Sequence, residues 1–252
     1  MKVCYFTATG NCLYVAERIG GELLSIPALM KQDSIVIRDD AVGIVCPVYA
    51  AEMPMMVRDF MATARIECDY FFFIYTYGMG YGEALAHAEL AARDSGLDLA
   101  YATCIQMVDN YLPGFEMGDQ LRILPSKDVE GQLAALTADI EGRIERRVHV
   151  GPITRAKMAS WSKMLADRIL DKKCAQGYIV TDACILCGIC ARVCPADNIT
   201  VGDAVTFSDH CEVCYACLHA CPQNALHIPG EKSSVRFRND HVTLAQIIAA
   251  ND

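Results

Sequence analysis

No stretch of this 252-residue chain approaches the roughly 20 consecutive apolar residues that cross a bilayer, so no membrane-spanning helix is expected. The first residues, MKVCYFTATG, hold neither a long apolar core nor a cleavage site. A signal peptide is therefore not expected, and a cytoplasmic location is. Positive charge is scarce: 22 Lys and Arg against 31 Asp and Glu leave a formal charge of −9. That balance argues against general nucleic-acid binding, which needs a basic surface to displace counterions. No glycine fingerprint of a dinucleotide site is present, so direct use of NADH or NADPH has no support. The six histidines show no catalytic pairing, and no Ser/His/Asp set is evident. Low-complexity tracts are missing too. With 53% hydrophobic and 21% charged residues, the chain is expected to be globular, and its length permits one large domain or two.

Cysteine, by contrast, is abundant. Fourteen are too many for an ordinary cytosolic protein, where disulfides would be reduced. Eight of them crowd between Cys184 and Cys221, which points to metal. CILCGICARVCP reads Cys184-x2-Cys187-x2-Cys190-x3-Cys194-Pro195, and CEVCYACLHACP reads Cys211-x2-Cys214-x2-Cys217-x3-Cys221-Pro222. A cubane cluster needs four thiolates at the corners of a tetrahedron, three of them from one tight loop. In two-cluster proteins the fourth cysteine of each run ligates the other cluster. The expected sets are Cys184, Cys187, Cys190 and Cys221 for one 4Fe–4S cluster, and Cys211, Cys214, Cys217 and Cys194 for the second. Gly188, Ala191 and Ala216 leave room for backbone amides to approach sulfur. Two zinc ions are the alternative, but structural zinc sites pair one Cys-x2-Cys with another further along, whereas both runs here end in Cys-Pro. Residues 180–228 resemble a bacterial two-cluster ferredoxin, and NITV and ALHI are expected to form that fold's hairpin strands.

The first 150 residues alternate strand-like and helix-like segments. KVCYF (2–6), ELLSI (22–26), AVGIVCPVY (41–49), YFFFIYTY (70–77) and LAYATCIQMV (99–108) read as strands. Helices are expected over 12–20, 54–64, 82–96 (ending at Gly96) and 126–147, the last opened by Ser126 as N-cap. Such alternation implies an α/β fold with a parallel sheet and helices on both faces. Near Gly151-Pro152 the pattern changes. Residues 153–173 place Met158, Trp161, Leu165 and Ile169 at helical spacing, opposite a mostly basic face (Arg155, Lys157, Lys163, Arg168, Lys172, Lys173). A short strand-like run and a small helix are expected to end the sequence.

Between the first strand and its helix lies FTATGNC. Small and hydroxylated residues at a helix start suit a dianionic phosphate, with Thr7, Thr9, Gly10 and Asn11 supplying hydroxyls and amides. The loop resembles the Thr/Ser-x-Thr/Ser-Gly-x-Thr/Ser motif of flavodoxins, except that Cys12 stands where the last hydroxyl belongs. A thiol is a weak donor, so weaker phosphate binding is expected, with Cys12 protonated and its backbone N–H still available. Two further loops follow strands where a flavodoxin holds its flavin ring. CPVYAAEMP contributes Pro47, Val48, Tyr49 and Ala50; YTYGMGYGE contributes Thr76, Tyr77, Gly78 and Gly80. Tyr111 borders the same crevice. Met53 or Met55 is a further candidate for the pocket.

Taken together, the chain resembles the flavodoxin–ferredoxin fusion family of anaerobic bacteria over nearly all its length. The resemblance implies FMN and two 4Fe–4S clusters. It also implies a flavodoxin-like five-stranded parallel sheet (order 2-1-3-4-5) with helices on both faces, plus a small α+β two-cluster ferredoxin domain. The expected division is 1–150 for the flavodoxin-like part, 151–175 for a linker helix, 176–230 for the ferredoxin part and 231–252 for a tail with a short helix. The function expected is electron transfer between clusters and FMN and on to a redox partner protein, an oxidoreductase or a ferredoxin-type donor. An FMN-dependent reductase with its substrate among Tyr49, Met53, Tyr77, Met79 and Tyr111 is one alternative. A flavin-free docking domain is another. Of the other cysteines, Cys4, Cys46 and Cys104 read as core and Cys174 as structural.

Overall fold

The computed structural model describes residues 1–252, Ser162 by its backbone alone. Five strands, β1 (Lys2–Tyr5), β2 (Glu22–Ser25), β3 (Ala41–Pro47), β4 (Tyr70–Tyr77) and β5 (Leu99–Gln106), form one sheet in the order β2-β1-β3-β4-β5. Every pairing is parallel. β3 and β4 sit inside the sheet and are buried along almost their whole length, which is why their sequences are unbroken apolar runs. This is the flavodoxin-like order, with its switch point between β1 and β3.

Helices α1 (Asn11–Ile19), α2 (Met55–Thr63), α3 (Ala84–Asp94), α4 (Met117–Ile123) and α5 (Val129–Glu141) connect or follow the strands. α1 packs on α5 and α2 on α3. Right-handed crossovers running in opposite directions from the switch point put these two pairs on opposite faces. α3 ends as its sequence suggests. Gly96 adopts φ +74°, while the Gly96 and Leu97 amides return to the Arg93 and Ala92 carbonyls.

The long helix expected over 126–147 is shorter and opens elsewhere. Leu124–Lys127 is a 3-10 turn in which the Ser126 hydroxyl donates back to the Ile123 carbonyl. Asp128, left-handed at φ 45°, caps α5 by accepting from the Gly131 amide. Past Gly142 and a left-handed Arg143 the chain returns to the sheet, where Arg146 bonds the backbone of Ala100 and Ala102. The 153–173 segment also differs. It is helical over Pro152–Lys157 and Lys163–Ile169, with a π-helical turn, Met158–Ser162, between. Leu165 and Ile169 face inward, but Trp161, inside the π turn and at the edge of their stripe, is 59% exposed.

The cysteine-rich region carries two antiparallel pairs, Ile199–Val201 with Val205–Phe207 and Ile179–Val180 with Leu226–His227. Its two cysteine runs share one backbone conformation. Leu186 and Val213, Gly188 and Tyr215, and Asp197 and Asn224 occupy equivalent positions, and all six have positive φ. SVRF is not a strand, and the terminal helix is Leu244–Ala249, opened by a Thr243/Gln246 capping box. Among the described residues no helix is long and apolar enough to cross a membrane.

Candidate cofactor sites

At the carboxyl ends of β1, β3, β4 and β5 lies a cavity of about 290 Å³, close to the lower limit of small-molecule sites. The phosphate-type loop forms one side. Thr7 and Thr9 are buried, and each hydroxyl oxygen already accepts a bond: Thr7 from the Gly10 amide at 3.2 Å, Thr9 from Asn110 Nδ2 at 2.7 Å. Each hydroxyl hydrogen therefore remains for a ligand. No side chain caps the start of α1, so its positive end opens to the same place. Gly10 is the exception among the loop candidates. It does not line the cavity but serves as the N-cap of α1 at φ +98°.

Cys12 lines the cavity with its thiol 3.2 Å from the Thr76 hydroxyl. Burial pushes that thiol up to about 12, against a smaller lowering by Thr76, so it carries no charge at neutral pH. The loop after β3 makes a tight turn in which Tyr49 and Glu52 exchange backbone hydrogen bonds. Its two central residues, Ala50 and Ala51, are both left-handed, at φ 52° and 64°. Pro47, Val48, Tyr49 and Ala50 all line the cavity, as do Thr76, Tyr77, Gly78 and Gly80 after β4 and Tyr111 after β5. The Tyr49 hydroxyl is buried with no hydrogen-bond partner. Met53 and Met55 are buried in the core and do not line the cavity, whereas Met79 does.

Several wall residues come from places the sequence reading did not join. Asp109 and Asn110 follow β5 after two intervening residues; as the polar pair in DNYLP they were the available signal. Asp109 is the one charged side chain in the lining. Burial raises its carboxyl, opposed by the Tyr111 and Met79 amides and by Lys127. A Cβ at Gly78 would lie 2.1 Å from the Asp109 Cβ, so only glycine lets the two loops meet. Lys127 is itself buried, bonds the Met107 carbonyl at 2.6 Å, and is lowered by burial. The roof is apolar: Phe115, Leu165, Ile169 and Leu170. Val213, Cys214 and Tyr215 complete the wall from the second cysteine run.

Two smaller cavities lie in the cysteine-rich region. Cys184, Cys187, Cys190 and Cys221 line one; Cys194, Cys211, Cys214 and Cys217 line the other. Each therefore takes three sulfurs from one run and one from the other. Each donor set is wholly thiol, the ligand chemistry of iron–sulfur clusters. Backbone amides approach sulfur directly: Asn198 to Cys194 at 3.3 Å, Val213 to Cys211 at 3.3 Å and Ala225 to Cys221 at 3.2 Å. Among the described residues no three His, Cys, Asp or Glu side chains gather as ligands of a single metal ion. The quartets differ in exposure. Cys187 is exposed, and Ile185 and Leu186 beside it are exposed too, whereas all four cysteines of the second quartet are buried.

The second quartet is locked to the sheet. Glu212, buried, accepts from the Met56 amide at 3.0 Å and so holds the uncapped start of α2. Cys214 and Tyr215 line both the large cavity and the second cysteine cavity. Cys174, which the sequence left without a partner, lies 3.8 Å from the Tyr178 hydroxyl. Cys4 and Cys46 are buried as expected, and Cys104 is half-buried.

A family described as "4Fe-4S binding domain" matches residues 178–200. No curated protein matches the chain. Among solved structures, it is similar to the two-electron reduced flavodoxin of Megasphaera elsdenii at 16% identity and a TM-score of 0.31, over 41% of this chain and 83% of that one. It is similar to the Trp repressor binding protein of Bacillus subtilis at 13% identity and a TM-score of 0.35, over 59% and 99%. A third likeness is the rubredoxin oxygen:oxidoreductase of Desulfovibrio gigas, at 11% identity and a TM-score of 0.31, over 53% of this chain and 36% of that one. The fold assignment rests on strand order, not on these likenesses. The chain thus combines a flavodoxin-like sheet with a 4Fe–4S binding region, the architecture of a redox protein.

Proposed function

We propose that the chain is an electron-transfer flavo-iron–sulfur protein that holds FMN in the large cavity and a 4Fe–4S cluster in each cysteine quartet. One observation carries the reading: Cys214, a cluster ligand in this scheme, is also a wall of the large cavity. Cys214, with Tyr215 beside it, thus borders both sites. When bound, clusters supply one-electron chemistry and FMN both one- and two-electron chemistry, so the pair can convert between them.

The residues suit FMN. Thr7 and Thr9 each keep a hydroxyl hydrogen, the α1 amides are uncapped, and the loop offers a phosphate neutral donors with no cation. Tyr49, Tyr77 and Tyr111 border the ring site, and the free Tyr49 hydroxyl supports a polar partner there. The exposure gradient supports an order of travel. A redox partner protein meets the first quartet at Cys187 and its apolar neighbours, electrons pass to the buried second quartet, and from there to the flavin. The proposed units are 1–150 for the flavin, 176–230 for the clusters, 151–175 as the linker whose Leu165, Ile169 and Leu170 roof the cavity, and 231–252 as the tail.

That roof favours a second reading, an FMN-dependent reductase whose small organic substrate lies under it. Asp109, the one Asp, Glu, Lys or Arg of the lining, would then be the carboxyl in reach of the substrate. Anaerobic purification with iron, sulfide and acid-released flavin measured per chain tests both readings. Roughly eight irons, as two cubanes require, with one FMN is the expected result. Iron without flavin, and none taken up from added FMN, would leave the sheet as a docking domain.

A further inference from the structure

We propose that the C-terminal segment 237–251 is a working part of the phosphate subsite and sets the preference for a phosphorylated over an unphosphorylated flavin. The inference rests on the FMN reading. The Asn239 amide donates to the Thr9 carbonyl at 2.8 Å. In a trans peptide the carbonyl and the next N–H point in opposite directions, so this bond turns the Gly10 amide toward the Thr7 hydroxyl. Asn239 Nδ2 donates to Asn11 Oδ1 at 3.0 Å, and Asn11 Nδ2 donates to the Val108 carbonyl at 3.2 Å. Asn11 is thereby tied down as a brace between the loop after β5 and the segment, which leaves its backbone at the helix start to face a ligand.

The approach is close. A Cβ on Gly10 would lie 3.0 Å from Val242 Cβ and 3.1 Å from Asn239 Cβ. A second arm reaches the same threonine. Phe237 N–H donates to His219 Nδ1 at 3.0 Å, which assigns the ring proton to Nε2. That proton goes to the Asn110 carbonyl at 2.9 Å, and Asn110 Nδ2 reaches the Thr9 hydroxyl oxygen at 2.7 Å. Thr9 is fixed at its carbonyl and at its hydroxyl by two routes that both begin in the segment. Beyond it, His241 stacks on Tyr14 at 4.2 Å, and Asn251 Nδ2 binds the Val193 carbonyl at 3.1 Å. A loop that meets a dianion without any cation depends on orienting neutral donors in advance, and the segment does this.

The test is the affinity of the full, anaerobically purified chain for FMN and for riboflavin, measured in parallel by flavin fluorescence quenching. Asn239→Ala is expected to weaken FMN binding about tenfold and leave riboflavin nearly unchanged, as for one lost contact that orients a charged-group donor. Asn239→Asp keeps the size but removes the donor and adds negative charge, so its selectivity for FMN should fall at least as far. Retained iron and sulfide shows that either variant is folded. Equal losses for both flavins, or no loss for either, would overturn the proposal while sparing the FMN reading. A wild-type chain that binds neither flavin would overturn both.

Discussion

Replacing Cys12 by serine should tighten FMN binding. The Cys12 side chain is 2% exposed, lines the cavity, and stands at the position where the loop lacks its third hydroxyl. Its neutral thiol sits 3.2 Å from Thr76 Oγ1, so a serine there can accept from Thr76 and turn its own hydrogen to the phosphate. A hydrogen bond to a charged group contributes about 1.5–3 kcal/mol, or roughly 10- to 150-fold in Kd. Serine fills less of the apolar site, so some loss of stability in the flavin-free chain is expected, on the order of 1 kcal/mol. Titration of Cys12→Ser and the parent chain with FMN and riboflavin separates the effects. A gain confined to FMN is predicted. An equal gain for riboflavin, or none for either, would refute the assignment of this loop to phosphate.

Three further outcomes follow from the geometry. Gly78→Ala forces a Cβ to 2.1 Å from the Asp109 Cβ and 2.5 Å from its Cα, and should cost about 1–3 kcal/mol in a denaturant titration, with weaker FMN binding. Asp109→Asn should flatten the dependence of stability on pH. The raised carboxyl holds its proton more tightly folded than unfolded, so the parent loses stability as pH climbs from about 3.9 through the folded value. Denaturant midpoints at a series of pH values read the difference, and parallel profiles would contradict it. Cys174→Ala takes away the thiol 3.8 Å from the hydroxyl of Tyr178, which lines the second cysteine cavity, and should cost about 0.5–1.5 kcal/mol in a denaturant titration; an unchanged midpoint would contradict it.

The central strands were legible because burial on both faces writes itself as an unbroken apolar run, and Tyr70–Tyr77 is buried at every position but the last; the short, partly exposed parallel pair Val36–Arg38 and Arg65–Glu67 carried no such run and was not read. The grouping of the cysteines into two quartets that each line one cavity was legible in the spacing of the two runs. Boundaries set by a single turn were not. Ser126 and Asp128 are both good caps, and only the left-handed backbone at Asp128 decides between them. Contacts between distant segments left no local trace. Asn239 meets Asn11 across 228 residues, and nothing in RNDHV marks it as a brace for the phosphate loop. The wall from Val213 to Tyr215 was hidden for the same reason, although it joins the two kinds of site.

The most direct test of the shared Cys214 wall is flash photoreduction of the anaerobic protein carrying both cofactors, with cluster and flavin absorbance followed together. Passage of electrons within one chain predicts that the flavin changes after the clusters, at a rate independent of protein concentration. A rate proportional to concentration, or clusters reduced with no response from the flavin, would contradict it.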